Sequence, residues 1–281
     1  MELTDFSRIK HAVNIELLKR AHVVIIGVGG SYSLVESFAR TGVGCLTICD
    51  PDRIEEVNIV RQGYQTHQIG NYKVQAMCDH LATINTGISC RGITENFLFW
   101  NEAQLDAVFG SADIILGMTD SFSAQARVNE IAIKYNKPAI WGGFYPFSRC
   151  CEIVFFIPKI TGCYRCAVGS RYKAQKQIQQ DVTQGGGYNT IFHSLLLDSL
   201  VGMLTMAILH NNTGSYEFSQ WFDTSYDRSL LQFKVHPCHS NDAGNLFQRM
   251  FEPIAENTFT YNSLWRKVTR KPDCPDCASQ K

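Results

Sequence analysis

Short apolar runs alternate with amphipathic stretches along the first half of the chain. His22–Ile26 is a β-branched run of the kind that fills a strand buried on both faces. Cys45–Cys49 and residues 89–94, 112–116 and 138–141 read as four more strands. Residues 31–40 space Leu34 and Phe38 as a helix does, and Gly42 is placed to stop it. Residues 72–84, Glu102–Phe109 and 121–135 read as further helices. This alternation predicts an α/β fold, a Rossmann-like and mostly parallel sheet with helices on both faces. Residues 151–157, 216–222 and 230–235 predict an antiparallel extension. Residues 4–19 predict an N-terminal helix with Ile9, Val13, Ile15 and Leu18 as its apolar contacts. Residues 175–189 are polar and carry Gly185–Gly187 near their end, so they predict a crossing loop. Residues 190–209 predict a long apolar helix. Residues 237–281 predict an irregular tail with one short helix near 246–251.

Composition narrows the class. With 281 residues, 45% of them hydrophobic and 19% charged, the chain has room for one α/β domain and an appendage. Lys plus Arg and Asp plus Glu are 26 each, so no general polyanion-binding surface is expected, while a local basic patch stays open. Residues 1–20 are charged and amphipathic and lack the apolar core of a signal peptide. The most apolar later stretch, 195–209, is interrupted by Asp198, Ser199 and Gly202 and is expected to be too short to span a bilayer. The eleven cysteines are therefore expected to be reduced thiols of a cytoplasmic protein, four of them on a metal.

The first chemistry lies directly after the first strand. Gly27, Gly29 and Gly30 follow Ile26, a helix follows them, and the second strand ends in Asp50, 23 positions after Gly27. Glycines let the backbone approach a phosphate, a helix N-terminus attracts the anion, and the acid can hold ribose hydroxyls. A bare strand–helix turn without a ligand is the alternative. Asp52, Asn58, Arg61, Gln62 and Lys73 follow, and a nicotinamide cofactor has no evident need for them. A triphosphate does, because Arg and Lys neutralise charge that develops on transfer. Asp120 ends the fourth strand, so it and Asp50 should share one rim of the sheet.

The second chemistry is metal binding. Cys163 and Cys166, then Cys274 and Cys277, form two C-x-x-C knuckles 108 positions apart (166 to 274). Four thiolates suit a closed, structural zinc site that would pin the tail to the body. His236, Cys238 and His239 are rival ligands.

Taken together these motifs resemble the small ThiF/MoeB/HesA-like adenylating enzymes of the ubiquitin-activating-enzyme superfamily. The run from Asp50 through Asp52, Asn58 and Arg61 to Gln62 is similar to the family's D-x-D-x-V-E-x-S-N-L-x-R-Q. Gly70 to Val74 resembles G-x-x-K-V, Thr119-Asp120 resembles T-D-N with Ser121 in place of Asn, and the paired knuckles resemble the zinc half-sites. The resemblance implies ATP-dependent adenylation of the C-terminal carboxylate of a small ubiquitin-like or sulfur-carrier protein ending in Gly-Gly, or of a peptide. It implies ATP, magnesium and zinc as cofactors and a homodimer as the assembly. Arg61, Lys73 and Asp120 are the implied catalytic residues, with Asp120 on magnesium. Arg8 would reach the phosphates of a second subunit, or else be a solvated arginine. Gly27, Gly29, Gly30, Asp50, Asp52, Asn58 and Gln62 would bind the nucleotide. Activation of a carboxylate on modified tRNA adenosine, or a non-catalytic activating-enzyme-like subunit, are the alternatives; no membrane is implied. The expected organisation is an arm over 1–20, a nucleotide-binding core over 21–160, and crossover loop, helix, antiparallel strands and zinc-binding tail over 161–281, integrated as one domain. Two departures stand out: Tyr32 replaces the last glycine of the loop, where it could narrow the pocket or alter helix packing, and Gln125 stands where the family has arginine, with Arg127 two residues later.

Overall fold

The computed structural model describes residues 4–178, 188–211, 213–214, 216–221, 228–235 and 261–279. Among these residues eight strands form one sheet in the order β3-β2-β1-β4-β5-β6-β7-β8. β1 (His22–Ile26), β2 (Cys45–Cys49), β3 (Ser89–Ile93), β4 (Ile114–Gly117) and β5 (Ala139–Phe144) are parallel. β6 (Cys150–Phe156), β7 (Leu230–Lys234) and β8 (Asn262–Arg266) extend the sheet antiparallel. Alternation within β1 explains its uninterrupted apolar sequence. Val23 and Ile25 enter a core shared with α2 (Tyr32–Thr41), α3 (Lys73–Ile84) and α7 (Ile191–Leu209), whereas Val24 and Ile26 enter one shared with α4 (Glu102–Phe109), α5 (Phe122–Lys134) and α6 (Tyr164–Ile178).

The order reverses at β1, which lies between β2 and β4. Consecutive strands feed helices to opposite faces on either side of that point, leaving a crevice at the carboxyl ends of β1 and β4. Gly27 forms the floor there. Its φ is +91°, and a Cβ would come within 2.6 Å of the Met118 carbonyl, so no other residue fits.

Several expected elements differ. The N-terminal helix is only α1 (Ile15–Arg20): Asn14 caps it, its side chain accepting from Leu17 N at 3.1 Å, and residues 6–13 are turns. Asn14 N in turn donates to His210 Nε2 at 2.8 Å, which fixes where the helix begins. The polar residues 175–178 complete α6 instead of opening a loop; Gln and Lys are good helix formers, and polarity alone misled. Within 216–222, Glu217–Gln220 form a 3-10 turn that packs on α7, and the third antiparallel strand is β8, a mostly exposed edge with little apolar signal. α7 is 19 residues and apolar enough to cross a membrane by length and composition, longer than its apolar core suggested. It packs on α2 and β5, with Leu197, Val201, Leu204 and Ala207 buried. Cys78 and Cys90 are not free thiols: α3 lies over β3, the two Cα atoms are 5.5 Å apart, and a disulfide joins them. The glycine run 185–187, the helix near 246–251 and His236, Cys238 and His239 lie outside the described residues.

Candidate functional site

A cavity of about 470 Å³ opens at the switch point. Gly27, Gly29, Gly30, Asp50, Asp52, Asn58, Arg61, Gln62, Lys73 and Asp120 all line it, although 93 positions separate the first from the last. Asp50 is buried, and each carboxylate oxygen accepts one backbone N–H: Val28 N at 2.9 Å and Asp52 N at 2.9 Å. It thus locks the glycine turn to the loop after β2 and keeps lone pairs for a ligand hydroxyl. Burial raises its carboxyl from the ordinary value, opposed by Lys73 and by those N–H bonds.

Asn58 is buried and caps its own turn, Oδ1 accepting from Glu55 N at 2.9 Å. That leaves its amide nitrogen for the cavity. Gln62 is buried beside Gly29, and its Oε1 has no hydrogen-bond partner among the described residues. Gly29 is what lets the Gln62 amide come so close, since a Cβ there would fall 3.0 Å from Nε2, and a buried acceptor left without a donor is a feature a ligand can satisfy. Lys73, buried in the first turn of α3, donates to Asp52 Oδ2 at 2.8 Å. Arg61 and the exposed Asp120 line the cavity with no ion pair or side-chain hydrogen bond among the described residues. Glu95, exposed on the same lining, is likewise without an ion pair or side-chain hydrogen bond among the described residues, so the cavity presents an unpaired arginine, unpaired carboxylates and a paired lysine, a set that can hold a polyphosphate with a divalent cation.

Arg8 is not in this set. It is exposed, in a segment whose Phe6 packs under Gly42 and whose Thr4 bonds Asn85, so it sits at the opposite rim, near the amino ends of β2 and β3. Tyr32 does not narrow the cavity. Its ring lies in the core, edge-on to Tyr64 at 4.9 Å and stacked on His80 at 5.6 Å. It fits because Gly63 has no side chain; a Cβ there would fall 2.2 Å from the ring. Arg127 pairs with Glu130 at 2.8 Å and is not a lining residue; Gln125 is.

Other lining groups carry no motif. Glu95–Leu98 form one wall after β3, and Gly142–Phe144 of β5 with Asn189, Ser194, Leu197 and Asp198 form another. Asp198 looked like an interruption of an apolar helix. It is buried, and its Oδ2 accepts from Leu34 N at 3.0 Å, capping α2, whose own N-cap Ser31 makes no side-chain cap bond. Burial pushes its carboxyl up to about 8, against the pull of the Leu34 and Ser33 N–H groups.

The four knuckle cysteines come together in the layer that holds α4, α5 and α6. Their sulfurs lie within 4.8 Å of one another, with Cys163–Cys166 at 3.8 Å, Cys163–Cys274 at 3.7 Å and Cys166–Cys277 at 3.6 Å. Sulfurs set tetrahedrally at about 2.3 Å from zinc would be about 3.8 Å apart, so the cluster fits that ion. The Cys163 hydrogen bond holds the Cys166 thiol below its usual value and pushes Cys163 up, so a proton is shared where a cation would replace it. Backbone N–H of Lys271 reaches Cys166 Sγ at 3.4 Å. Tyr164 N donates to Asn129 Oδ1 at 2.9 Å, and Asn129 donates to Asp276 at 2.8 Å, fastening both knuckles to α5.

Known proteins resemble this chain in both sequence and shape. A sulfur carrier protein adenylyltransferase of Thermus thermophilus is 29% identical over 157 residues, 54% of this chain and 56% of that protein. Ubiquitin-like modifier-activating enzyme 5 of Caenorhabditis elegans is 31% identical over 160 residues, 54% of this chain and 38% of that protein. The chain thus spans about half the length of such relatives, or less. Among solved structures, E. coli MccB with ATP superposes with a TM-score of 0.65 at 20% identity, over 94% of this chain and 68% of that one, which establishes a common fold. The family model of the ThiF family matches residues 3–237, and the chain, with its switch-point cavity and paired knuckles, belongs to that family.

Proposed function

We propose that this chain adenylates the C-terminal carboxylate of a small ubiquitin-like or sulfur-carrier protein, or of a peptide, using ATP and magnesium. The carrying observation is the convergence of the glycine turn, Asp50, Asp52, Asn58, Arg61, Gln62, Lys73 and Asp120 on one cavity. The named activities of the relatives support the same reading.

The substrate carboxylate attacks the α-phosphorus of ATP, forming an acyl-adenylate, and pyrophosphate leaves. Asp50 accepts ribose hydroxyls, while Asn58 and Gln62 orient the phosphates. Arg61 supplies positive charge to the phosphoryl oxygens, and Lys73 joins it by leaving Asp52. Asp120, with its unengaged carboxylate, would hold magnesium, which when bound screens the charge of the polyphosphate. The catalysis is electrostatic positioning and needs no protein nucleophile. Arg8 can reach phosphates only in a second copy of the chain, which fits a homodimer. The four clustered cysteines hold a structural zinc. We place the protein in the cytoplasm, with no membrane or nucleic acid as partner.

The acyl-adenylate is handed on without an enzyme thioester. Residues 168–190 contain no cysteine, and Cys49 and Cys151 are buried thiols that desolvation pushes up to about 12. Cys238 lies outside the described residues. The experiment is incubation with ATP and a panel of Gly-Gly-ending carriers, followed by mass spectrometry and gels with and without reductant. A carrier bearing AMP and no reductant-sensitive adduct is expected. Absence of any adenylated carrier or peptide contradicts the activity, and an adduct lost in Cys238→Ala contradicts the direct hand-over.

A further inference from the structure

The turn that carries Asp120 is held from an unexpected direction. Residues 118–121 connect β4 to α5, and two polar groups of Thr119 anchor them. Thr119 Oγ1 accepts from Ser121 N at 3.2 Å, and Thr119 O accepts from Gln125 Nε2 at 2.7 Å. Gln125 is buried, so the orientation of its amide decides whether that second bond exists. The orientation is set on the other side, where Gln125 Oε1 accepts from Tyr164 Oη at 2.6 Å. Arg171 Nη1 donates to Tyr164 Oη at 3.3 Å, so the tyrosine hydroxyl is left to donate towards Gln125. Trp141 stacks on Tyr164 at 4.7 Å and donates from Nε1 to the Gln125 carbonyl at 3.0 Å, closing the assembly. Tyr164 lies between Cys163 and Cys166.

We propose that Gln125 and Tyr164 are positioning residues that aim Asp120 into the nucleotide cavity, making the cysteine knot part of the site's geometry as well as a staple. This rests on the reading of the cavity as an ATP–magnesium site. Without the tyrosine hydroxyl, the Thr119 carbonyl alone among the described residues selects one face of the Gln125 amide. A flipped amide would set oxygen against oxygen, and the Thr119–Asp120 turn would shift to avoid it. The carboxylate would then be misplaced with every cavity residue still present. The two-ended amide of Gln125 thus bridges Thr119 and Tyr164 within a buried space.

The test is calorimetric titration of ATP into the zinc-loaded protein at a series of magnesium concentrations, for the wild type, Tyr164→Phe, Gln125→Met and Asp120→Ala. In the wild type, magnesium should tighten ATP binding. Tyr164→Phe and Gln125→Met should need about tenfold more magnesium for the same tightening, the scale typical when a ligand's supporting residue is lost. Zinc content and ATP affinity without added magnesium should match the wild type for Tyr164→Phe, while its melting temperature falls by a few degrees because the buried Gln125 oxygen loses its donor. A merely structural role would lower the melting temperature and leave the magnesium dependence alone. If both variants follow the wild-type magnesium curve while Asp120→Ala does not, the positioning role is wrong and the ATP–magnesium reading stands. If Asp120→Ala also follows it, both fall.

Discussion

The cavity at the carboxyl ends of the strands and the cysteine knot beside α5 are built on opposite principles. In the knot the groups around the cysteines are largely paired with one another, although the buried Arg165 Nε and Tyr172 hydroxyl have no hydrogen-bond partner among the described residues. Tyr164 N, Asn129, Asp276 and Arg165 bond one another, Arg270 bonds the Cys277 carbonyl, and Lys271 N bonds Cys166. In the cavity several groups await a partner: Arg61, Asp120 and the Gln62 oxygen have none among the described residues. A buried polar group left open costs stability unless a ligand satisfies it. The contrast therefore separates what holds the fold from what acts. Substitutions in the knot should appear as lost stability, and those at open cavity groups as lost binding with the fold intact.

The largest effect expected from breaking that contrast is at the knot. Cys274→Ser should release the metal and cost about 5 kcal/mol, lowering the melting temperature by roughly 10 °C or more. Metal analysis and a thermal melt check it, and a metal-free protein melting with the wild type would remove the knot from the stability account. Next is Tyr32, which belongs with the packing and not with the cavity. Tyr32→Gly should cost about 3–5 kcal/mol through the void it leaves, without tightening ATP. Denaturant unfolding and ATP titration separate those two readouts. A variant that binds ATP more tightly would show the ring obstructing the site.

These two sites also show what could be seen in the sequence. The β1 strand was legible because burial on both faces leaves only apolar residues, and the knuckles were legible because their spacing is chemical. Asp198 and Gln125 were not, because their partners, Leu34 N and the Thr119 and Tyr164 groups, are 164, 6 and 39 positions away. β8 was missed because an edge strand with one face exposed and the other only half-buried, N-S-L-W-R, carries no run of apolar residues. The cavity wall from β5 and α7 likewise depends on which helix meets which strand.

A smaller effect should sharpen the other side of the contrast. Arg61→Ala should weaken ATP binding roughly tenfold and leave the melting temperature unchanged, because its guanidinium is engaged only when phosphate is present. Equilibrium titration with ATP reads this, and a destabilised variant would mean that Arg61 is structural.

The smallest effect is a pH dependence at the N-terminal arm. His210 accepts from Asn14 N and its Nδ1 bonds the Met206 carbonyl at 2.7 Å, so it is held neutral, and burial lowers its pKa from 6.5. The unfolded chain then binds the extra proton first. This contribution to stability is complete above about pH 6.5 and is lost as the pH falls through the lowered folded value. His22 is lowered for the same first cause, desolvation, so it adds to the slope. Melts between pH 7.5 and roughly 5 should show a shallower slope in His210→Gln. Asp198, whose carboxyl is raised to about 8, contributes a slope of the opposite sign in both proteins, and an unaltered slope in the variant would remove His210 from the pH dependence.

The most direct test of the central claim is exchange of labelled pyrophosphate into ATP in the presence of the carrier or peptide substrate, with Asp120→Ala as the paired control. The account predicts exchange that requires magnesium and the substrate carboxylate, and a loss of about a hundredfold or more in Asp120→Ala at an unchanged melting temperature. Exchange undiminished in that variant would contradict the assignment of the open cavity groups as the catalytic apparatus.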